Sequence, residues 1–482
     1  MRRLLTALGW GLLGVLLSVL AGAIFYLNSR PDLQVWHQAD LTEEFTADAG
    51  VTSFADYLAL EDRLFRQLDD EVYAQAPSFE AGVINRYNRG SIADPEYRPP
   101  NWNRSFELRT AAPKAGVLLL HGMSDSPYSL RQLGQRLHAA GAYVIGMRMP
   151  GHGTAPSGLV ELRVEDMTAA VQIGMRHLAE MSGDRPLYIV GYSTGAALAL
   201  DYVLTQRKDT SLPSVSRLVM LSPAIGVTPL AALAVWQARL GHLLGLDKLA
   251  WETILPEYDP YKYGSFAVNA GDVVYHLTEK IQRELKSASS SGERLQLPPI
   301  LAFASLVDAT VSTTALVSGL FDRLPANGHE LVLFDINRLA HIDPFLQVDP
   351  GPAVRALQSR PDAGFTLSLV TNRDPQSRDV KLVTRAQGQS SIAETELGMS
   401  WPPFIYSLAH VALPFAPEDP LYGSAPPTSL NELKLGNLAM RGERGVFLIP
   451  ATDMLRQRWN PFYPYVEQRT LQHLQLIASP AH

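Results

Sequence analysis

The chain contains no cysteine, which excludes disulfides, thiolate nucleophiles and cysteine-ligated zinc or iron–sulfur sites. That absence suits cytosol and periplasm alike, so it selects no compartment. A basic block is missing too. The 41 Lys and Arg are outnumbered by 48 Asp and Glu for a formal charge of −7, so no nucleic-acid partner is expected. No internal repeat is visible. What remains is ordinary: 46% apolar residues over 482 positions suffice for one large core with additions, or for two to three domains.

The first thirty residues, "MRRLLTALGWGLLGVLLSVLAGAIFYLNSR", carry Arg2 and Arg3 and then no charge from Leu4 through Ser29. About 20 apolar residues cross a bilayer core as a helix, and a basic start stays cytoplasmic. This predicts a transmembrane anchor over 1–30 that serves as the membrane contact. The expected location is the inner membrane of a bacterium, single-pass, with the remainder periplasmic. The alternative is secretion after cleavage near Ala21-Gly22-Ala23. Gly9-Trp10-Gly11-Leu12-Leu13-Gly14 matches a dinucleotide-binding pattern, but no strand precedes it and no βαβ unit surrounds it.

An N-terminal extension is expected over 31–112. Within it Phe54, Tyr57, Leu58, Leu64, Phe65, Leu68 and Val72 recur at helical spacing, with Ser53 and Asp56 as capping residues. From Ala115 short apolar runs alternate with helical segments: "GVLLLHG", "AYVIGMRMPG", "PLYIVGYS" and "RLVMLSPAI" read as buried strands. Such alternation predicts an α/β fold with a mostly parallel, doubly wound sheet covered on both faces. The alternation stops between Val227 and Gln296. There "TPLAALAVWQARLGHLL", an aromatic stretch, an amphipathic run and a flexible "SASSSGER" suggest a helical cap over 227–296. It splits a core into 113–226 and 297–345. The segment 346–482 reads as an extension packed on that core, with strands expected at "FTLSLVTN", "DVKLVTRA", "PPFIYSLAHVALPF" and "GVFLIPA".

In "LYIVGYSTGAAL" a strand leads into Gly191-Tyr192-Ser193-Thr194-Gly195 and a helix leads out. Strand, G-x-S-x-G, helix is a turn so tight that it exposes the serine hydroxyl at the top of a sheet. Ser193 is therefore the candidate nucleophile. Its oxyanion donors would be the Thr194 N–H and, from the loop after an earlier strand, the Met123 N–H in "LLLHGMSDSPYS". His121 is read as shaping that loop, and His152 in "PGHG" as a structural residue lining the pocket.

His121-Gly122-Met123-Ser124-Asp125-Ser126-Pro127, Pro150-Gly151-His152-Gly153 and the serine motif together resemble the α/β-hydrolase superfamily. The nearest likeness is to its monoacylglycerol lipase, lysophospholipase and serine aminopeptidase branch. The resemblance covers about 113 to 340, and the Pro-rich C-terminal sequence looks like that of larger, membrane-anchored bacterial hydrolases. It implies the chain order Ser, then Asp or Glu, then His. Asp308, after "PPILAFASLV" and with Val311 beyond it, fits the family's acid loop; its competing role is a helix N-cap. His329 precedes its strand, His473 sits in a helical run and His482 is the last residue. His341 and His410 remain. His341 follows the next strand, as in a minimal hydrolase. His410, in "SLAHV", resembles a hydrolase histidine loop with one extra residue. The choice falls on His410, with His341 as the alternative base.

The function expected from this resemblance is serine hydrolysis of carboxylic esters of acyl-chain substrates, such as a lysophospholipid or monoacylglycerol. Peptidase or acyltransferase action is the alternative, and a non-catalytic envelope protein on a hydrolase fold is the rival of another class. Apolar cap residues Pro229, Leu230, Leu233, Val235 and Trp236 favour an acyl chain. No metal or organic cofactor is expected.

Overall fold

The computed structural model describes residues 2–80, 82–226, 246–290, 295–347, 349–360, 363–429, 431–438 and 448–478. Its strands are β1 (Phe106–Leu108), β2 (Ala115–Leu120), β3 (Ala142–Met147), β4 (Leu187–Tyr192) and β5 (Arg217–Leu221). They continue as β6 (Trp251–Thr253), β7 (Phe266–Ala267), β8 (Ile300–Ser305), β9 (His329–Phe334), β10 (Phe365–Asn372), β11 (Asp379–Arg385) and β12 (Ile392–Ser400). Ten of these form one sheet in the order β1-β3-β2-β4-β5-β8-β9-β10-β11-β12, while β6 and β7 pair separately. From β3 to β10 every pairing is parallel. β1 on one side, and β11 and β12 on the other, add antiparallel edges.

Every residue of β2, β3, β4, β8 and β9 is buried, which is why all but β9, with its buried His329 and Glu330, read as largely apolar runs. Side chains alternate between the faces of a strand, so each run feeds two cores. Leu118, Leu120, Ile145, Met147 and Ile189 point into one. The helices Val164–Ser182, Thr194–Gln206 and Val268–Ser290 cover that face. Val117, Leu119, Val144, Val190 and Val219 point into the other. That second face is covered by the helix Tyr128–Ala139 and by the C-terminal helix Tyr463–His473, which buries Val466 and Leu471 there.

The N-terminal extension carries the expected helix, Phe54–Leu68, with the Ser53 hydroxyl accepting from the Asp56 N–H. Phe54, Tyr57 and Leu60 join the main core. Arg148, directly after β3, is fully buried and binds Glu44 through two nitrogens and Glu61 through its Nε, tying the extension to the sheet.

A helix runs over Arg2–Ser29. Among the described residues, however, no helix is long and apolar enough to cross a membrane, so the span expected over 1–30 is not found there. Of the 227–296 segment, the first expected helix and its Pro229, Leu230, Leu233, Val235 and Trp236 lie outside the described residues. The second is Val268–Ser290, which takes in the first half of the expected flexible return, 287–290; its second half, 291–294, lies outside the described residues. Its Leu277, Ile281 and Leu285 are buried in the main core, against Thr194–Gln206.

The C-terminal segment contributes β10, β11 and β12 to the sheet. "PPFIYSLAHVALPF" is not a strand, as had been expected, but an irregular loop ending in a 3-10 turn at His410–Ala412. Pro402 and Pro403 have no N–H to give a ladder, and Leu408 and Leu413 are buried from loop positions. "GVFLIPA" falls partly outside the described residues; Leu448–Pro450 are irregular and a short helix starts at Ala451.

Candidate active site

Ser193 stands between β4 and the helix Thr194–Gln206 with φ 52° and ψ −115°. A non-glycine residue here is strained by roughly 1–3 kcal/mol. The turn persists because its flanks admit no side chain. A Cβ on Gly195 would lie 2.1 Å from the Leu120 carbonyl oxygen, and one on Gly191 would lie 2.5 Å from the Ala196 N. The small residues of G-x-S-x-G are thus required by the approach of β2 and of the helix itself.

The Ser193 Oγ–H donates to His410 Nε2 at 2.9 Å, and His410 Nδ1–H donates to Asp308 Oδ2 at 2.8 Å. A carboxylate only accepts, which assigns the Nδ1 proton and leaves Nε2 as the acceptor. The other Asp308 oxygen accepts the Thr310 and Val311 N–H groups at 2.8 and 3.0 Å. Burial raises the Asp308 pKa. The hydrogen bond and charge of His410 and the two amides outweigh that, so its carboxyl sits below the usual range. Asp308 does not cap the following helix; Ser312 does, accepting from Ala315 N–H.

The structure therefore brings Ser193, Asp308 and His410 together. His341 is exposed in the 3-10 turn Ala340–Phe345, its ring edge-on to Tyr406 and outside the cavity above Ser193. The loop after β9, where a minimal hydrolase would carry its histidine, instead supports the His410 loop. Asn337 N–H donates to Tyr406 O at 2.8 Å and Asn337 Nδ2 to Ile405 O at 3.0 Å. Asn372 Nδ2 in turn donates to Asn337 Oδ1 at 2.9 Å. Nothing in the sequence marked Asn337, since an asparagine in a polar loop carries no pattern. His329 and His473 are buried away from the site, His473 bonding Pro299 O at the opposite edge of the sheet; His482 lies outside the described residues.

Met123 and Thr194 both border the cavity beside Ser193. Thr194 is the first residue of its helix, so its N–H has no intrahelical acceptor. The peptide joining Gly122 to Met123 is oriented by His121, whose Nδ1–H donates to the Gly122 carbonyl at 2.8 Å while its Nε2 accepts from Met149 N–H at 3.0 Å. Both ring nitrogens are thereby assigned. Burial, reinforced by His152, keeps His121 neutral by lowering its pKa well below the ordinary value. A trans peptide held at its carbonyl points its N–H the other way, here the Met123 N–H. His152 bonds Pro150 O and is buried, but does not line the cavity as the sequence suggested.

The cavity has a volume of about 540 Å³. Its wall is mostly apolar, with Ala224, Leu255, Phe266 and Val274 on one part and Phe415 and Tyr422 on another. The Tyr263 N–H donates to Ser124 O at 2.9 Å, fastening the aromatic stretch over the Met123 loop. Asp419 accepts from Tyr128 Oη and Arg131 at 3.0 Å each, pinning the C-terminal loop that carries Tyr422. Among the described residues no group of three or more His, Asp and Glu side chains is placed to hold a metal ion.

Residues 111–336 match the profile of the family described as serine aminopeptidase, S33. A curated relative is the thermostable monoacylglycerol lipase of Bacillus sp. (strain H-257), 29% identical over 117 residues. That alignment covers 24% of this chain and 44% of the relative, so the chain spans less than half the length of the curated protein it matches. Among solved structures, the monoacylglycerol lipase of Paleococcus ferrophilus is 20% identical, over 48% of this chain and 89% of its own, with a TM-score of 0.37. A thermostable carboxyl esterase of Bacillus coagulans is 16% identical, over 48% and 84%, with a TM-score of 0.36. Over residues 111–336, just under half of its length, the chain is thus similar to α/β-hydrolases of the monoacylglycerol lipase-like branch.

Proposed function

We propose that this α/β-hydrolase cleaves carboxylic esters of acyl-chain substrates through an acyl-enzyme on Ser193. The observation that carries the reading is the unbroken relay Asp308–His410–Ser193, with spacings of 2.8 and 2.9 Å, at the floor of a largely apolar cavity. In this reading His410 Nε2 takes the serine proton as Oγ attacks the ester carbonyl carbon. The Met123 and Thr194 N–H groups hold the negative oxygen that forms. Asp308 stabilises the imidazolium, which then gives its proton to the departing alcohol. Water, deprotonated by the same imidazole, attacks the acyl-enzyme and frees the fatty acid.

A fluorophosphonate probe tests this. The wild-type chain should be labelled at one site and Ser193→Ala should not be; equal labelling of the two would overturn the assignment. A chain that is neither labelled nor active on p-nitrophenyl esters would instead be a non-catalytic protein on a hydrolase fold. The family match to a serine aminopeptidase makes amides the second substrate class, so p-nitroanilides belong in the same assay.

We also place the hydrolase part outside the cytoplasm, on the periplasmic side. Arg2 and Arg3 open a helix on which Leu8, Trp10, Leu12, Val15, Leu17 and Phe25 are exposed, an arrangement that favours engagement with lipid or with export machinery. Protease added to spheroplasts should digest the hydrolase part, and full protection would overturn the placement.

A further inference from the structure

Three cationic side chains, Lys262, Arg456 and Arg458, border the cavity above Ser193. None has an ion-pair partner among the described residues. Arg456 donates only to Thr310 Oγ1 at 3.0 Å, and Arg458 to Tyr258 Oη at 3.1 Å. The Lys262 ammonium has no acceptor within hydrogen-bond distance among those residues.

Three carboxylates share the wall, and each is otherwise placed. Both Asp259 oxygens lie 2.7 Å from Tyr422 Oη, and Oδ1 also accepts the Tyr261 and Lys262 backbone N–H groups. Glu252 is exposed and Asp453 is half-buried; neither reaches a cation among the described residues. Behind the wall, burial pushes the Asp125 carboxyl up to about 7. Burial lowers the Lys262 pKa. Asp125 and Asp259 oppose that, while Arg456 and Arg458 lower it further, so both guanidinium charges act on the Lys262 ammonium. Like charges gathered in a partly water-excluded space repel, and an anion bound among them removes that cost.

We propose that the substrate is an acyl ester whose alcohol part bears an anionic group, phosphate or carboxylate, held by Lys262, Arg456 and Arg458. This rests on the ester-hydrolase reading above. The placement on the alcohol side follows from Arg456. Its partner Thr310 belongs to the turn that holds Asp308 against His410, and His410 is the group that protonates the leaving alcohol. The acyl chain then takes the apolar wall of Ala224, Leu255, Phe266 and Val274.

The test compares kcat/KM of the purified full chain on three esters of one acyl length: a neutral monoacylglycerol, an acylglycerol phosphate, and an acyl ester of a hydroxycarboxylate. The wild type should favour at least one charged ester about tenfold or more, the worth of a charge-assisted hydrogen bond. Which of the two is favoured identifies the anion. Arg456→Gln and, independently, Lys262→Met should shrink the charged-to-neutral ratio through KM, while Arg456→Lys should keep most of it, and added salt should erode the wild-type ratio. Turnover of the neutral ester with no charge preference would overturn this inference alone. So would a preference unchanged in both charge-removing variants. Absence of turnover on every ester, together with absent probe labelling, would overturn the ester-hydrolase reading and this inference with it.

Discussion

His410 and Ser193 are 217 residues apart in the chain and 2.9 Å apart in space. Between them the chain builds the second half of the parallel sheet and two antiparallel edge strands before returning over the serine. The return is held at several points: Asn337 beneath Ile405 and Tyr406, Asp419 on Tyr128 and Arg131, and the Asn460 N–H on Phe415 O at 2.8 Å.

Substitution of the two histidines should have unequal consequences. His410→Ala is expected to lower kcat/KM on a p-nitrophenyl ester by about three orders of magnitude or more, because it removes the acceptor for the serine proton. His341→Ala should stay within about twofold, since surface changes away from a site rarely exceed ~0.5 kcal/mol. Comparable losses in both would undo the assignment.

Asn337→Ala removes the side-chain bonds to Ile405 O and Asn372 that hold the His410 loop. A small displacement of a reacting group costs rate more than stability. We expect kcat to fall about tenfold with KM and the melting temperature little changed. A parallel collapse of thermal stability would mean that Asn337 serves the fold in general and not the loop.

Arg148→Met should destabilise the chain by roughly 3–5 kcal/mol, the cost of leaving a buried partner charge uncompensated, here Glu61 with its side chain 3% exposed. Urea unfolding measures it. Adding Glu61→Gln to Arg148→Met should restore part of the loss; strict additivity of the two would show that the pair is not coupled.

Acid should unfold this protein earlier than its carboxylates alone would dictate. Burial is the first cause in each of five depressed histidines: His37, His152 and His329 fall to about 4, His473 to about 3, and His121 well below its ordinary value. Their unfolded value is 6.5. Above pH 6.5 both states are neutral and the stability is fully present. As pH falls from 6.5 toward 4 the unfolded chain takes up protons that the folded one refuses. Each such histidine then removes about 1.4 kcal/mol per pH unit. Asp125, raised to about 7, works in the opposite direction, and Asp69, Asp201 and Glu257, which burial also raises, add to it in the same sense. Melting curves at pH 7.5 and 5.5 should differ markedly, and a flat profile would contradict the burial of these rings.

Much of the architecture was legible because its signals are local. A strand buried on both faces has few polar positions, so β2 to β5 and β8 announce themselves, and β9 does so from Leu331 onward, after His329 and Glu330. The turn at Ser193 tolerates only small neighbours, so it writes glycine at Gly191 and Gly195. The loop carrying His410 reads as a strand in the sequence because apolar content is shared by strands and by buried loops; its prolines and the bonds from Asn337 decide otherwise.

The sequence alone determined the α/β alternation, the exposed serine, the loop that supplies Met123 and the acidic residue after β8, since each depends on contacts among near neighbours in the chain. It narrowed the histidine to His341 or His410 and favoured His410 on the likeness of its loop. Only the tertiary structure decided which imidazole stands beside Ser193, and it assembled Lys262, Arg456 and Arg458 around one cavity. Distance in space between remote segments is set by how the C-terminal strands and helix pack on the sheet, and no local pattern of residues encodes it.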